Sequence, residues 1–269
     1  MQKYSRNSRI SVITKILIEN PNKIMSLNYF SEILNAAKST VSEDILVIRE
    51  ILEAMEMGKI ETIAGATGGV RFLAKMGEES EKSFKDSICQ MLADKSRIVP
   101  GNFLYITDIM LDPTIVHKAG VILASKFLKS KADYVITVET KGIPLAYEVA
   151  RYLGVPLIVA RKNSKVTEGT SVTINYVSGT TGRLSNMGLA KRTLKESSKC
   201  LFIDDFLRAG GTVNGIQDLL NEFDSELIGI GVLVDNKDVT KKLPTNYTSL
   251  VDYYGVDKDG NIRVEASKN

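Results

Sequence analysis

The spacing of apolar residues changes character along this 269-residue chain. Near the start, Ile10, Ile13 and Leu17 recur at helical intervals, and Asn20-Pro21 predicts a stop. Ser26 is placed to cap a second short helix with Leu27, Phe30 and Leu34 on one face. Residues 35–38 predict a brief turn. Thr40 and Glu43 then read as a capping box with Thr40 as the N-cap. Val41, Ile45, Ile48, Leu52 and Met55 form one apolar seam behind it, and Gly58 predicts its end. Residues 59–64 and 70–73 are rich in β-formers and are joined by Gly65-Ala66-Thr67-Gly68-Gly69. Three helices followed by a hairpin is the order of a winged helix-turn-helix.

Residues 76–96 are polar with a helical pattern and read as a connector. After them, strand-like runs at 103–106, 134–138, 157–159, 200–203 and 228–234 alternate with helical patterns at 114–128, 143–153 and 212–223. That alternation predicts an α/β domain, a doubly wound and mostly parallel sheet with helices on both faces. Residues 161–192 are long, polar and glycine-bearing, with one strand predicted at 171–177, and a stretch of this length reads as a binding loop or lid. The expected division is 1–74 for the winged helix and 75–269 for the α/β domain.

Composition narrows the chemistry. A hydrophobic content of 43% is ample for a packed core in one large or two smaller domains, and a net charge of +3 means that any basic footprint must be local. No apolar run is long enough to span a membrane and the polar start is unlike a signal peptide, so a cytoplasmic protein is expected. Cys89 and Cys200 lie far apart without metal-ligand spacing and are expected as two buried thiols. His117, the single histidine, falls in an apolar helical pattern and reads as a core-edge or surface residue. A zinc site or a histidine-based triad is thereby disfavoured.

The most informative stretch is Leu201-Phe202-Ile203-Asp204-Asp205-Phe206-Leu207-Arg208-Ala209-Gly210-Gly211-Thr212. An apolar strand runs into two carboxylates, which can accept hydrogen bonds from the two hydroxyls of one ribose. The amides of Ala209, Gly210, Gly211 and Thr212, at the start of a helix, can cradle a phosphate. Diol and phosphate sites so spaced fit a ribose 5-phosphate; the alternative is an ordinary strand-to-helix turn. Upstream, Glu139-Thr140-Lys141-Gly142 follows a predicted strand and can hold a diphosphate through its amides and Lys141. Arg161 and Lys162 open the long loop and are candidates to close over it, or else a solvated basic stretch. At the other end of the chain, the second helix of the helix-turn-helix pair would bring Lys38, Ser39, Thr40 and Ser42 to the DNA major groove. Lys3, Arg6, Arg9 and Lys15 precede the first acid, Glu19, and suit phosphate contacts, while Lys59 and Arg71 flank the wing. A winged helix also serves protein contacts, which stays open here.

The carboxylate–glycine stretch resembles the phosphoribosyl-pyrophosphate (PRPP) loop of type I phosphoribosyltransferases, and Glu139-Thr140-Lys141-Gly142 resembles their pyrophosphate loop. The two halves in this order resemble the purine operon repressor family of Gram-positive bacteria over nearly the whole chain. Ala37-Lys38-Ser39-Thr40-Val41-Ser42-Glu43-Asp44, Gly68-Gly69-Val70, Thr140-Lys141-Gly142-Ile143-Pro144-Leu145-Ala146-Tyr147 and Arg161-Lys162 through Lys165-Val166-Thr167-Glu168-Gly169 to Asn175-Tyr176-Val177-Ser178-Gly179 carry the likeness. The chain after Pro244 reads as short and polar, and matches less well. The resemblance implies a homodimeric repressor of purine synthesis and transport genes that binds double-stranded operator DNA. It implies PRPP as inducer, magnesium held mainly through that ligand, and guanosine tetra- or pentaphosphate as co-repressor in the same pocket. It implies binding at Thr140, Lys141, Gly142, Arg161, Lys162, Asp204, Asp205, Phe206, Arg208, Ala209, Gly210, Gly211 and Thr212, without catalysis. The rival is a purine phosphoribosyltransferase of the adenine or xanthine kind with an accessory N-terminal domain.

Overall fold

The computed structural model describes residues 3–65, 68–101, 103–162, 169–177, 184–239 and 246–268. Its contacts divide the chain into two compact units, Met1–Glu78 with Tyr152–Gly154, and Glu79–Arg151 with Val155–Asn269.

The first unit contains α1 (Arg6–Glu19), α2 (Leu27–Leu34), α3 (Lys38–Ala54), β1 (Gly58–Ile63) and β2 (Gly69–Ala74). Ser5 and Ser26 cap α1 and α2 by accepting from the amides of Ser8 and Tyr29. Ile13, Leu17, Phe30, Leu34, Val41, Ile45, Ile48 and Leu52 form the shared core. β1 and β2 pair antiparallel, and Met25 bridges to Val70, seating the wing against the chain entering α2.

The start of α3 differs from expectation. Ala37 is its N-cap, with no side-chain cap, so Thr40 lies inside the helix and the predicted capping box does not form. The cause is a tight turn. Asn35 adopts a left-handed φ of 46° and Ser31 Oγ donates to the Ala36 carbonyl at 2.6 Å, so the turn closes early and the helix begins directly after extended Ala37. At the other end the helix stops at Ala54 with Met55 as C-cap, which leaves Met55 exposed and outside the seam. Gly58 is not the stop; it opens β1.

The second unit begins with α4 (Glu78–Leu92). The predicted connector is helical, but it buries Phe84, Ile88 and Leu92 and so belongs to a core. Next come a small antiparallel hairpin of β3 (Ile98–Val99) and β4 (Phe103–Leu104), then α5 (Thr107–Leu111) and α6 (Pro113–Phe127). The strand expected at 103–106 therefore stays out of the main sheet. Arg97 holds it locally, donating to the carbonyls of Met91 and Tyr105 and to both oxygens of Asp108. The chain continues through β5 (Tyr134–Val138), α7 (Ile143–Leu153), β6 (Leu157–Ala160), β7 (Ser171–Val177), β8 (Leu184–Ala190) and β9 (Lys199–Leu207). α8 (Gly211–Asn221), β10 (Glu226–Asn236), β11 (Thr248–Val256) and β12 (Ile262–Ala266) complete it.

Six strands form the main sheet in the order β12-β11-β10-β9-β5-β6, parallel except for the edge strand β12. Along β10, Ile230 and Val232 join the core that contains Ile216 and Leu219 of α8. The alternating Gly229 and Gly231 face Phe127 of α6. Alternate strand residues point to opposite faces, so α6 and α8 cover the two sides, as a doubly wound sheet requires.

The long 161–192 stretch is not a loop alone. β7 and β8 pair antiparallel over its second half, and Tyr176 and Met187 lie directly over Gly215 of α8. β11 also exceeds its sequence signal: the segment after Pro244 is a buried sheet strand with Leu250, Val251 and Tyr253 inside. Cys200 is buried as expected, but Cys89 is only half-buried on α4. Among the described residues, no helix is long and apolar enough to cross a membrane.

Candidate functional site

From β5 the chain crosses through α7 to β6 on one side, and the next sheet strand, β9, is added on the other side of β5. That reversal opens a crevice at the carboxyl ends of β5 and β9, where doubly wound sheets bind ligands. The β5–β9 ladder pairs Tyr134 with Cys200, Val135 with Leu201 and Ile136 with Phe202, and goes no further. Beyond it the residues predicted from the sequence converge.

On the β5 side lie Glu139, Thr140, Lys141 and Gly142, with Thr140 and Lys141 exposed and Gly142 buried. The Glu139–Thr140 peptide is cis. Glu139 Oε1 accepts from the Lys162 amide at 2.9 Å, joining this loop to the end of β6. Arg161 exchanges two backbone hydrogen bonds with Gly188 of β8, which carries the start of the long segment onto the hairpin. Residues 163–168, which continue this stretch, lie outside the described residues.

On the β9 side, the strand runs to Leu207, so Asp204 and Asp205 extend from an ordered strand rather than from the loop beyond it. Gly142 closes the gap between the two sides. A Cβ at residue 142 would stand 2.4 Å from Asp204 Oδ1 and 3.1 Å from its Cα, so only glycine lets the two loops approach this closely. Asp204 Oδ1 accepts from the Asp205 amide at 2.9 Å. Burial, and then the negative charge of Asp205, push the Asp204 carboxyl well above the usual carboxylate range; the Lys162 ammonium opposes them.

Gly210 caps α8 with φ 88°, a left-handed conformation suited to glycine, and no side chain caps the helix. The amides of its first turn, including Gly211 and Thr212, are therefore without a side-chain cap, an arrangement that can hold an anion. Arg208 lies over the Phe103 ring at 5.5 Å, and Phe206 meets Tyr253 with ring centres 6.3 Å apart. Phe103 and Tyr253 carry no site signal in the sequence: the first falls in a strand-like run, and the second in a segment that reads as polar.

The other predicted group lies on the first unit. Lys38, Ser39 and Ser42 are exposed at the start of α3, with Thr40 half-buried beside them. Lys3 and Arg6 are exposed on the approach to α1. Arg9 is different. Its Nε is 2.7 Å from Asp44, whose side chain is 1% exposed, and Arg6 reaches the same carboxylate at 3.5 Å. Arg9 thus fastens α1 to α3. On the wing, Lys59 and Arg71 both pair with Glu61, and these two cations hold its carboxyl below the usual range.

A family model described as the bacterial purine repressor N-terminal domain matches residues 5–74, and one for the phosphoribosyl transferase domain matches 108–258. The chain is 44% identical over 249 residues to the "Purine biosynthesis transcriptional repressor PurR" of Bacillus subtilis, covering 93% of this chain and 87% of that one. The chain belongs to the bacterial purine repressor family. A second family member, the "Purine biosynthesis transcriptional activator PurR" of Lactococcus lactis subsp. lactis, is 37% identical over 91% of each chain. The adenine phosphoribosyltransferase of Thermoanaerobacter pseudethanolicus superposes with a TM-score of 0.54 at 20% identity, covering 62% of this chain and 98% of the enzyme. That likeness establishes a type I phosphoribosyltransferase fold for the second unit of this purine repressor family chain.

Proposed function

We propose that this protein is a repressor of purine biosynthesis and transport genes whose grip on operator DNA is released by PRPP. The observation that carries the reading is one chain joining a purine repressor N-terminal domain to a sheet end where Gly142, Asp204 and the start of α8, without a side-chain cap, come together. In this reading Asp204 and Asp205 take the ribose hydroxyls, and the Ala209–Thr212 amides take the 5-phosphate. Thr140, Lys141 and Gly142 take the pyrophosphate, with Arg161 and Lys162 beside them. Phe206 and Arg208, each against an aromatic ring, form the rim. Magnesium arrives with PRPP and is held through ligand oxygens and waters. Guanosine tetra- or pentaphosphate occupies the same crevice and keeps the protein on DNA. The operator is bound by a cytoplasmic homodimer, whose two-fold symmetry suits paired half-sites. Exposed Lys38, Ser39 and Ser42 face the groove, with Lys3 and Arg6 at the phosphates.

The sheet also serves enzymes, so the test separates the two roles. A gel shift with DNA from upstream of purine synthesis genes is titrated with magnesium-PRPP. Wild-type protein is expected to bind and then release the DNA, and Asp204→Ala or Asp205→Ala to bind but not release. Release by those variants at the wild-type PRPP concentration would reject the site. Labelled PRPP incubated with purine bases is expected to give no nucleotide; rapid nucleotide formation would favour a phosphoribosyltransferase.

A further inference from the structure

Thr137 occupies the fourth position of β5, fully buried, one residue beyond the last β5–β9 pair and five before Gly142. Among the described residues its Oγ1 has no hydrogen-bond partner. A buried hydroxyl without a partner costs about 1–3 kcal/mol, and a Val side chain would fill the same space without that cost. The position of the hydroxyl is specific. The point where a Cβ on residue 142 would stand lies 2.7 Å from Thr137 Oγ1 and 2.4 Å from Asp204 Oδ1. The unpaired donor and the carboxylate thus border the same small space under the Gly142 turn, between the two loops of the crevice. They do not bond to each other here.

We propose that Thr137 is a positioning residue for the sugar-phosphate site, a donor whose hydroxyl turns to pair with Asp204 when ligand is bound. The inference rests on the PRPP reading of the crevice. Asp204 must accept hydrogen bonds from a diol, and it does so best when ionised. Burial and neighbouring Asp205 oppose that charge. A hydroxyl donated to Oδ1 from below, beside the Asp205 amide, favours the ionised form and leaves Oδ2 facing the ligand. The unpaired state is then the free protein's, and its cost is relieved on binding.

The test separates the hydroxyl of Thr137 from its methyl group. Thr137→Val keeps the shape and removes the donor; Thr137→Ser keeps the donor and removes the methyl. Calorimetry with magnesium-PRPP and thermal melting of the ligand-free protein are run on full-length wild type and both variants. The Val variant is expected to melt no lower than wild type and to bind PRPP at least about tenfold more weakly, the size of one hydrogen bond to a charged group. The Ser variant is expected to melt lower yet bind within about twofold of wild type. Wild-type binding matched by the Val variant would overturn the inference and leave the site reading standing. Equal weakening in Val and Ser would also overturn it, since packing alone would then explain the effect. A wild-type protein that takes up no PRPP would overturn the site reading and the inference together.

Discussion

Asp204 has a cost of its own in the free protein. Its carboxyl is pushed up by burial and by the charge of Asp205, with Lys162 offsetting part of this. A folded-state value above the unfolded one means that the native protein binds the proton more tightly. Stability is therefore lost as pH rises from the ordinary carboxylate range through the raised value. Asp204→Asn removes that titration. The variant is expected to be more stable than wild type at pH 7, with the gap narrowing as pH falls into the ordinary carboxylate range. It is also expected to lose PRPP binding. Urea denaturation across that pH range checks the first expectation and calorimetry the second. Equal stability at pH 7 would mean that Asp204 is well solvated.

Among the elements, the α1–α3 pair divides a basic cluster that looks uniform in the sequence. Arg9 ends on buried Asp44, so Arg9→Ala leaves a carboxylate inside the fold without its strongest partner. Loss of one member of a buried pair costs about 3–5 kcal/mol. Circular dichroism is expected to show early melting of the helical first unit. Lys38→Ala removes an exposed side chain, so it should leave the melt unchanged while weakening operator binding and flattening its salt dependence. An unchanged melt for Arg9→Ala would show that Arg6 alone suffices for Asp44. The contrast also shows what a linear reading sees. Periodicity found α1, α2, β5, α7 and the strand under Asp204, because each has one apolar face or a short apolar core. It misplaced the start of α3, since the turn depends on a Ser31 hydroxyl reaching Ala36. It missed β8 and β11, whose partners lie on other strands and leave little local signal. At the candidate site, Asp204, Asp205, Gly142 and the start of α8 were legible from their motifs. Thr137, Phe103 and Tyr253 were not, because each matters only through a neighbour distant in sequence.

For the whole molecule, the proposed ligand site and the DNA site on the same chain must obey reciprocity. If PRPP lowers operator affinity by some factor, operator DNA lowers PRPP affinity by the same factor. A tenfold change corresponds to about 1.4 kcal/mol, within the usual range for coupled sites. Calorimetry with PRPP, in the presence and absence of saturating operator duplex, is expected to give the ratio that DNA titrations give with and without PRPP. Unequal ratios would mean that more than one species is being titrated, such as a change in subunit association.

Gly215 has a consequence for how such a regulator can be tuned. Tyr176 and Met187 rest where its side chain would be, so the β7–β8 hairpin bears on the helix whose first turn faces the crevice. Bulk added at that bearing would lever hairpin and helix apart about one turn from the amides that await an anion. If the proposed sugar-phosphate site is right, inheritance can thus reset its threshold from behind, leaving every atom that would meet the ligand as it was.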